Sequence, residues 1–169
     1  MQSSRPQPFL LDAMLRRYQQ CCGFTLIELL VTMSIAVILA TMAAPSFSAL
    51  IASQRTKSAA SSLYASLSRA RSEAMMRNTG VMLAPQNSAW ANGWQLTDLR
   101  RPDIALEMKD AMSGLSISGP ASLTYRPSGK IDGSTTHTFL VTASGQANAT
   151  HCVSVDPGGR PYHKAGASC

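Results

Sequence analysis

Three groups of residues in this chain have types and spacings suited to chemistry. The first is Glu28, the only charge in residues 24–45, which read FTLIELLVTMSIAVILATMAAP. A carboxylate in so apolar a stretch is costly unless paired, so Glu28 calls for a cationic partner. The second group is Cys152 and Cys169 with His151 and His163, residue types that form a disulfide or hold zinc. Their spacing matches no standard zinc pattern. The third is GGRPYHK, residues 158–164, which gathers Arg160, Tyr162, His163 and Lys164 behind a single acid, Asp156. Lysine and arginine neutralise phosphates and tyrosine stacks on exposed bases, which suits nucleic acid. A short solvated basic turn has the same composition. No catalytic constellation stands out. P-loop, Rossmann glycine pattern, HExxH and GxSxG are missing from the sequence. His137, His151 and His163 have no nucleophile at a meaningful spacing. Neither an enzyme nor a cofactor is expected, and Trp90 and Trp94 read as packing residues.

The elements that must position these groups follow from composition. The chain has 169 residues, enough for one domain and little more. Charged residues make up 14%, well under the quarter typical of soluble domains, while apolar residues make up 45%. Mean hydropathy is nevertheless only +0.01. One concentrated apolar segment in an otherwise small and polar chain accounts for both values. A multidomain enzyme, a disordered chain and a disulfide-dense mini-protein are excluded on these grounds. Basic residues outnumber acidic ones by 15 to 9, for a net charge of +6.

Residues 24–45 are long enough to cross a bilayer as a helix, since about 20 apolar residues span its core. Residues 1–23 carry Arg5, Arg16 and Arg17 against Asp12, which places the N-terminus in the cytoplasm and the C-terminal part outside it. The apolar run is too long for a secretory signal peptide and contains Glu28. Cys21 and Cys22 precede the run instead of following it, unlike a lipoprotein. A plain membrane anchor stays open on these residues alone. In an oxidising compartment Cys152 and Cys169 are expected to pair, closing a loop worth about 3 kcal/mol.

Beyond Pro45, where a kink is expected, Ala60, Leu63, Leu67, Ala70 and Ala74 recur at spacings of three and four. They predict an amphipathic helix over 46–79 ending at Asn78-Thr79-Gly80. Arg55, Lys57, Arg69, Arg71 and Arg77 fall largely off the apolar face, on a solvated or partner-binding surface. Short apolar runs at 81–83, 94–96, 115–117, 123–126, 138–142 and 152–155 alternate with breakers such as Pro127-Ser128-Gly129. They predict antiparallel strands over 80–169. Residues 97–113 read as a loop with at most one short strand or helical turn.

Gly23-Phe24-Thr25-Leu26-Ile27-Glu28 closely resembles the class III signal of type IV prepilins and type II secretion pseudopilins. The resemblance implies a leader over 1–23, or a shorter one starting at Met14. It implies cleavage between Gly23 and Phe24 by prepilin peptidase and N-methylation of Phe24. Glu28 would then pair with the N-terminal amine of a neighbouring subunit and govern assembly. The later segments SRARSEAMMRNTGVMLAPQ (68–86), Asn92-Gly93-Trp94, LTYRPSG (123–129) and CVSVDPGGR (152–160) resemble the GspH/FimT family of minor pilins and pseudopilins. The implied fold is α+β, the type IV pilin fold, with a long N-terminal helix packed on an antiparallel sheet. The implied function is that of a FimT/FimU-like minor pilin in the inner membrane and pilus, partnered by other pilins. A GspH-type pseudopilin of a type II secretion system is the alternative. FimT-type pilins also imply DNA binding in natural transformation, through a Gly-Arg-x-Arg motif. Gly159-Arg160 match its first half, Tyr162 stands at its last position, and Lys164 is the next cation. DNA contact is thus expected at Arg160, Tyr162, His163 and Lys164.

Overall fold

The computed structural model describes residues 23–169, except for the side chains of residues 42–46 and 147. The leader expected over 1–23 lies outside them apart from Gly23. The chain divides into two compact units, Met1–Ala43 and Ala44–Cys169. Helix α1, Leu26–Arg77, is shared between them.

In the first unit the described helical residues are all exposed, including Leu26, Leu30, Ile35, Val37 and Leu39. Thr25 caps the helix: its Oγ1 accepts the Glu28 N–H at 3.2 Å, and its carbonyl accepts the Leu29 N–H at 3.1 Å. Polar side chains within the apolar run bond back to their own helix. Thr32 Oγ1 donates to the Leu29 carbonyl, Ser34 Oγ to Leu30 and Thr41 Oγ1 to Ile38. None of these hydroxyls then needs water. Among the described residues no helix is long and apolar enough to cross a membrane, and the apolar run expected to span over 24–45 extends into residues 42–45, whose side chains lie outside them.

In the second unit α1 buries one face. Ala52, Thr56, Ala59, Ala60, Leu63, Ser66, Leu67, Ala70 and Ala74 are all buried, including every position expected from the periodicity. Small residues dominate, so the helix can approach the sheets closely. The helix ends at Arg77 because Asn78 turns left-handed, with φ of 49°. The Thr79 N–H then closes onto the Ala74 carbonyl at 3.3 Å, capping an end carbonyl in the Schellman manner.

Eight strands follow: β1 Val81–Pro85, β2 Trp94–Asp98, β3 Arg101–Lys109, β4 Leu115–Ser118, β5 Leu123–Tyr125, β6 His137–Ala143, β7 Gln146–Val155 and β8 Pro161–Ala165. They form two four-stranded antiparallel sheets, in the orders β3-β2-β1-β5 and β4-β6-β7-β8. One apolar core joins both sheets to the helix, with Leu63 and Leu67 among Val81, Leu96, Tyr125, Phe139, Val141 and Val153. Trp90 bridges the sheets. Its ring meets Phe139 edge-on at 4.9 Å and lies 6.4 Å from Trp94, and its Nε1–H donates to the Pro120 carbonyl. Both tryptophans are packing residues, as expected.

Two segments differ from the sequence reading. Residues 101–109 form a nine-residue strand in the stretch read as a loop. Residues 161–165 form a strand in the tail read as a loop. Both lie at sheet edges, and β8 begins at Pro161, a position where a missing N–H is tolerated.

Candidate functional site

At the N-terminal motif, Gly23, Phe24 and Thr25 are non-helical and α1 begins at Leu26. Phe24 is exposed, and Glu28 lies in the first helical turn, where the helix dipole favours a negative charge. Thr25 and Glu28 stand at the spacing of a capping box, so the motif also starts the helix.

At the other end of the chain, Cys152 and Cys169 are disulfide-bonded, with Cα atoms 5.6 Å apart. Both thiols are consumed, so the zinc alternative has no thiolate ligands. Among the described residues no group of three or more His, Cys, Asp or Glu side chains is placed to hold a metal ion.

The basic segment does not form one patch. Arg160 ends the turn between β7 and β8. Its N–H and its Nε both donate to the Asp156 carboxylate, at 2.9 and 3.2 Å. These bonds, the backbone one first, hold the Asp156 carboxyl below the usual carboxylate range. In β8, Tyr162 pairs with Ser154, His163 with Val153 and Lys164 with Cys152. Successive strand residues face opposite ways, so Tyr162 and Lys164 share one face and His163 takes the other. His163 is exposed but stands on the Val153 side of the sheet, where its ring meets that of Tyr64 in α1 edge-on at 5.2 Å. His151 is on that same face of β7, with Nδ1 buried and unpartnered. Burial first, and then His163 and Lys57, push its pKa below the usual 6.5. The structure thus groups Tyr162 with Lys164, ties Arg160 to Asp156 and separates His163 from all three.

Two cations that the sequence reading passed over lie beside this turn. Residues 126–130, RPSGK, and residues 156–160, DPGGR, fold alike. Gly129 N–H donates to the Arg126 carbonyl at 2.9 Å, and Gly159 N–H to the Asp156 carbonyl at 2.8 Å. Arg126 N–H donates to the Lys130 carbonyl at 2.8 Å, and Asp156 N–H to the Arg160 carbonyl at 3.3 Å. Gly129 and Gly159 are left-handed, at φ of 75° and 78°. The turns pack directly on each other: a Cβ on Gly159 would stand 2.0 Å from the Gly129 carbonyl oxygen. Only glycine fits there. The repeated Pro-small-Gly-basic pattern was the available signal, but nothing in a linear sequence says that the two copies touch.

On the helix side, Ser66 Oγ accepts the Trp94 Nε1–H at 2.9 Å and donates to Glu107 Oε1 at 2.6 Å. Arg69 reaches Glu107 Oε2 at 3.1 Å. This chain pins β3 to α1, which gives part of the helix's polar surface a structural role.

Comparison with known proteins agrees with this architecture. Residues 59–159 match the family described as type II transport protein GspH, and residues 18–44 match the prokaryotic N-terminal methylation motif. No curated protein matches the chain. Among solved structures, the type IV minor pilin FimU of Pseudomonas aeruginosa is similar with a TM-score of 0.60 and 24% identity, over 66% of this chain and 89% of that one. The minor pseudopilin EpsH of the Vibrio cholerae type 2 secretion system is similar with a TM-score of 0.53 and 16% identity, over 66% and 97%. The fold is the α+β type IV pilin fold. With the family match running over more than half of its length, this chain belongs to the GspH family, the GspH/FimT-like minor pilins and pseudopilins.

Proposed function

We propose that this chain is a FimT/FimU-like minor pilin, a structural subunit inserted into a type IV pilus by its N-terminal helix. The observation that carries this reading is the N-terminal arrangement: a methylation motif at residues 18–44 running into a helix that begins at Leu26. Prepilin peptidase cuts between Gly23 and Phe24 and methylates Phe24. The N-terminal side remains cytoplasmic until then, and the C-terminal unit is periplasmic. Residues 24–45 first anchor the chain in the inner membrane and then pack among the helices of other pilins. In that apolar setting the Glu28 carboxylate pairs with the Phe24 amine of a neighbouring subunit. An unpaired charge there costs on the order of 3 kcal/mol or more, so pairing sets the register.

Co-expression with prepilin peptidase tests the processing step. Mass spectrometry should find an N-methylated Phe24 terminus, and a Gly23→Ala chain should stay uncut. For assembly, Glu28→Ala should be lost from sheared filaments while remaining in the membrane fraction. Undiminished incorporation would remove this role from Glu28.

The second reading, a GspH-type pseudopilin, is favoured by the likeness to EpsH. A knockout separates the two. Loss of twitching or transformation with enzyme secretion intact supports the pilus, and loss of secretion alone supports the pseudopilus. Nucleic-acid binding is proposed at Arg160 with Tyr162 and Lys164, and His163 contributes least because it faces α1. A mobility-shift assay on Arg160→Ala and Lys164→Ala should show weakened, salt-sensitive binding. Unaltered binding in both would count against it.

A further inference from the structure

The two stacked turns share a backbone but differ in how their donors are satisfied. At 156–160 the Asp156 side chain folds back over its own turn. It accepts the Arg160 N–H at 2.9 Å and is hydrogen-bonded by the Gly158 backbone as well. An internal carboxylate therefore fills the concavity made by that turn's N–H groups, an arrangement that binds anions generally. At 126–130 the residue in the place of Asp156 is Arg126, which supplies no acceptor and turns instead to Asp132. The equivalent donors, the N–H groups of Ser128 and Lys130, meet no protein acceptor among the described residues. Lys130 makes no ion pair among the described residues, and its side chain is exposed. A cavity of about 340 Å³ opens at this point, bounded by Arg126, Ser128, Lys130 and Ser134 on one side and Pro157 and Gly158 of the twin turn on the other. The side chains among its polar lining are two cations and two hydroxyls, with the Asp132 carboxylate held by Arg126.

We propose that the RPSGK turn binds a phosphate-type oxyanion, seated on the Ser128 and Lys130 N–H groups as the Asp156 carboxylate is seated at the twin turn. Arg126 and Lys130 flank the anion and the Ser128 hydroxyl adds a donor. Backbone amides, a hydroxyl and two cations converging from several directions suit a tetrahedral group with many acceptor atoms. The phosphate comes either as the free ion or as one unit of a nucleic-acid backbone. The site does not rest on the nucleic-acid reading of β8, because it uses none of its residues.

The test titrates the full chain, in neutral detergent, with inorganic phosphate and separately with a short single-stranded oligonucleotide, by calorimetry. The wild type should bind phosphate saturably, one per chain. Arg126→Asp supplies the first turn with the carboxylate that its twin already has. It should therefore fold with an unchanged melting temperature and bind phosphate about tenfold more weakly or worse. Lys130→Ala removes an exposed side chain and keeps the test valid if Arg126→Asp unfolds. It should weaken phosphate about threefold. Arg101→Ala, which removes an exposed cation at the start of β3, should leave phosphate and oligonucleotide binding as they were. Oligonucleotide binding that falls together with phosphate binding in these variants identifies the nucleic-acid backbone as the source. Oligonucleotide binding that stays constant while phosphate binding falls identifies the free ion, and both results uphold the site. A wild type that binds no phosphate saturably, or folded variants that bind it unchanged, overturns the proposal.

Discussion

Strands β3 and β8 are both edges, one for each sheet, and they are held by opposite means. β3 is fastened by side chains. Its Glu107 takes hydrogen bonds from Ser66 and Arg69, and Ser66 in turn receives the indole N–H of buried Trp94. β8 is fastened by a covalent bond and a ring contact, Cys152–Cys169 and Tyr64–His163. Edge strands lack a second neighbour, and each of these edges has acquired a particular substitute for one. The polar clasp depends on geometry and on salt. The covalent one depends on redox state.

The comparison can be broken most forcefully at the disulfide. Cys152→Ser with Cys169→Ser should lower unfolding free energy by about 3 kcal/mol, read by urea denaturation of the full chain in detergent. Amides of 161–165 should lose exchange protection while those of 101–109 keep theirs. If both edges lost protection equally, the two clasps would not be independent. Next in size is Ser66→Ala, which leaves the buried Trp94 N–H without its acceptor and Glu107 with one donor fewer. Because Arg69 still donates to Glu107, the loss is the unpaired Trp94 N–H and one hydrogen bond, about 1–3 kcal/mol, with exchange rising at β3 and not at β8.

A pH series sharpens the β8 side. The folded pKa of His151 is depressed, so its contribution is present above about pH 6.5, the ordinary histidine value, and is lost as pH falls below it. Melting temperature should decline on acidification through that window in the wild type, and more shallowly in His151→Gln. An identical decline in both would assign the effect to other groups. The smallest expected change is Arg69→Ala. Its guanidinium is half-exposed, so the pair with Glu107 is worth about 0.5 kcal/mol, within reach of careful denaturation at low salt. High salt should erase the difference.

These two strands are also the ones that could not be read from the sequence. Central strands such as β6 alternate visibly, with Phe139, Val141 and Ala143 buried and their neighbours less so. In β3 the first five residues are all exposed, and β8 is exposed beyond Pro161. With no buried face there is no period of two to find. The core face of α1 was legible because Ala60, Leu63, Leu67, Ala70 and Ala74 must meet the sheets. So was the helix stop, because Asn78 tolerates a left-handed turn that few other residues adopt. The cysteine pairing followed from compartment and count. The basic tail was legible as composition but not as geometry: whether it is a loop or a strand decides whether Arg160, Tyr162, His163 and Lys164 share a surface. The two glycine turns thirty residues apart share a Pro-small-Gly-basic pattern, but that repeat does not say that they stack.

The bond between Cys152 and Cys169 has a topological consequence as well as an energetic one. It makes residues 152–169 a closed ring through β7, the DPGGR turn and β8. A strand inside a ring cannot be lent to another molecule and returned by a hinge, because its far end is already sewn to its own sheet. Exchange of β8 between copies is thereby forbidden for as long as the bond stands. In a protein destined for crowded, repetitive assemblies, the ring keeps each copy's final strand its own.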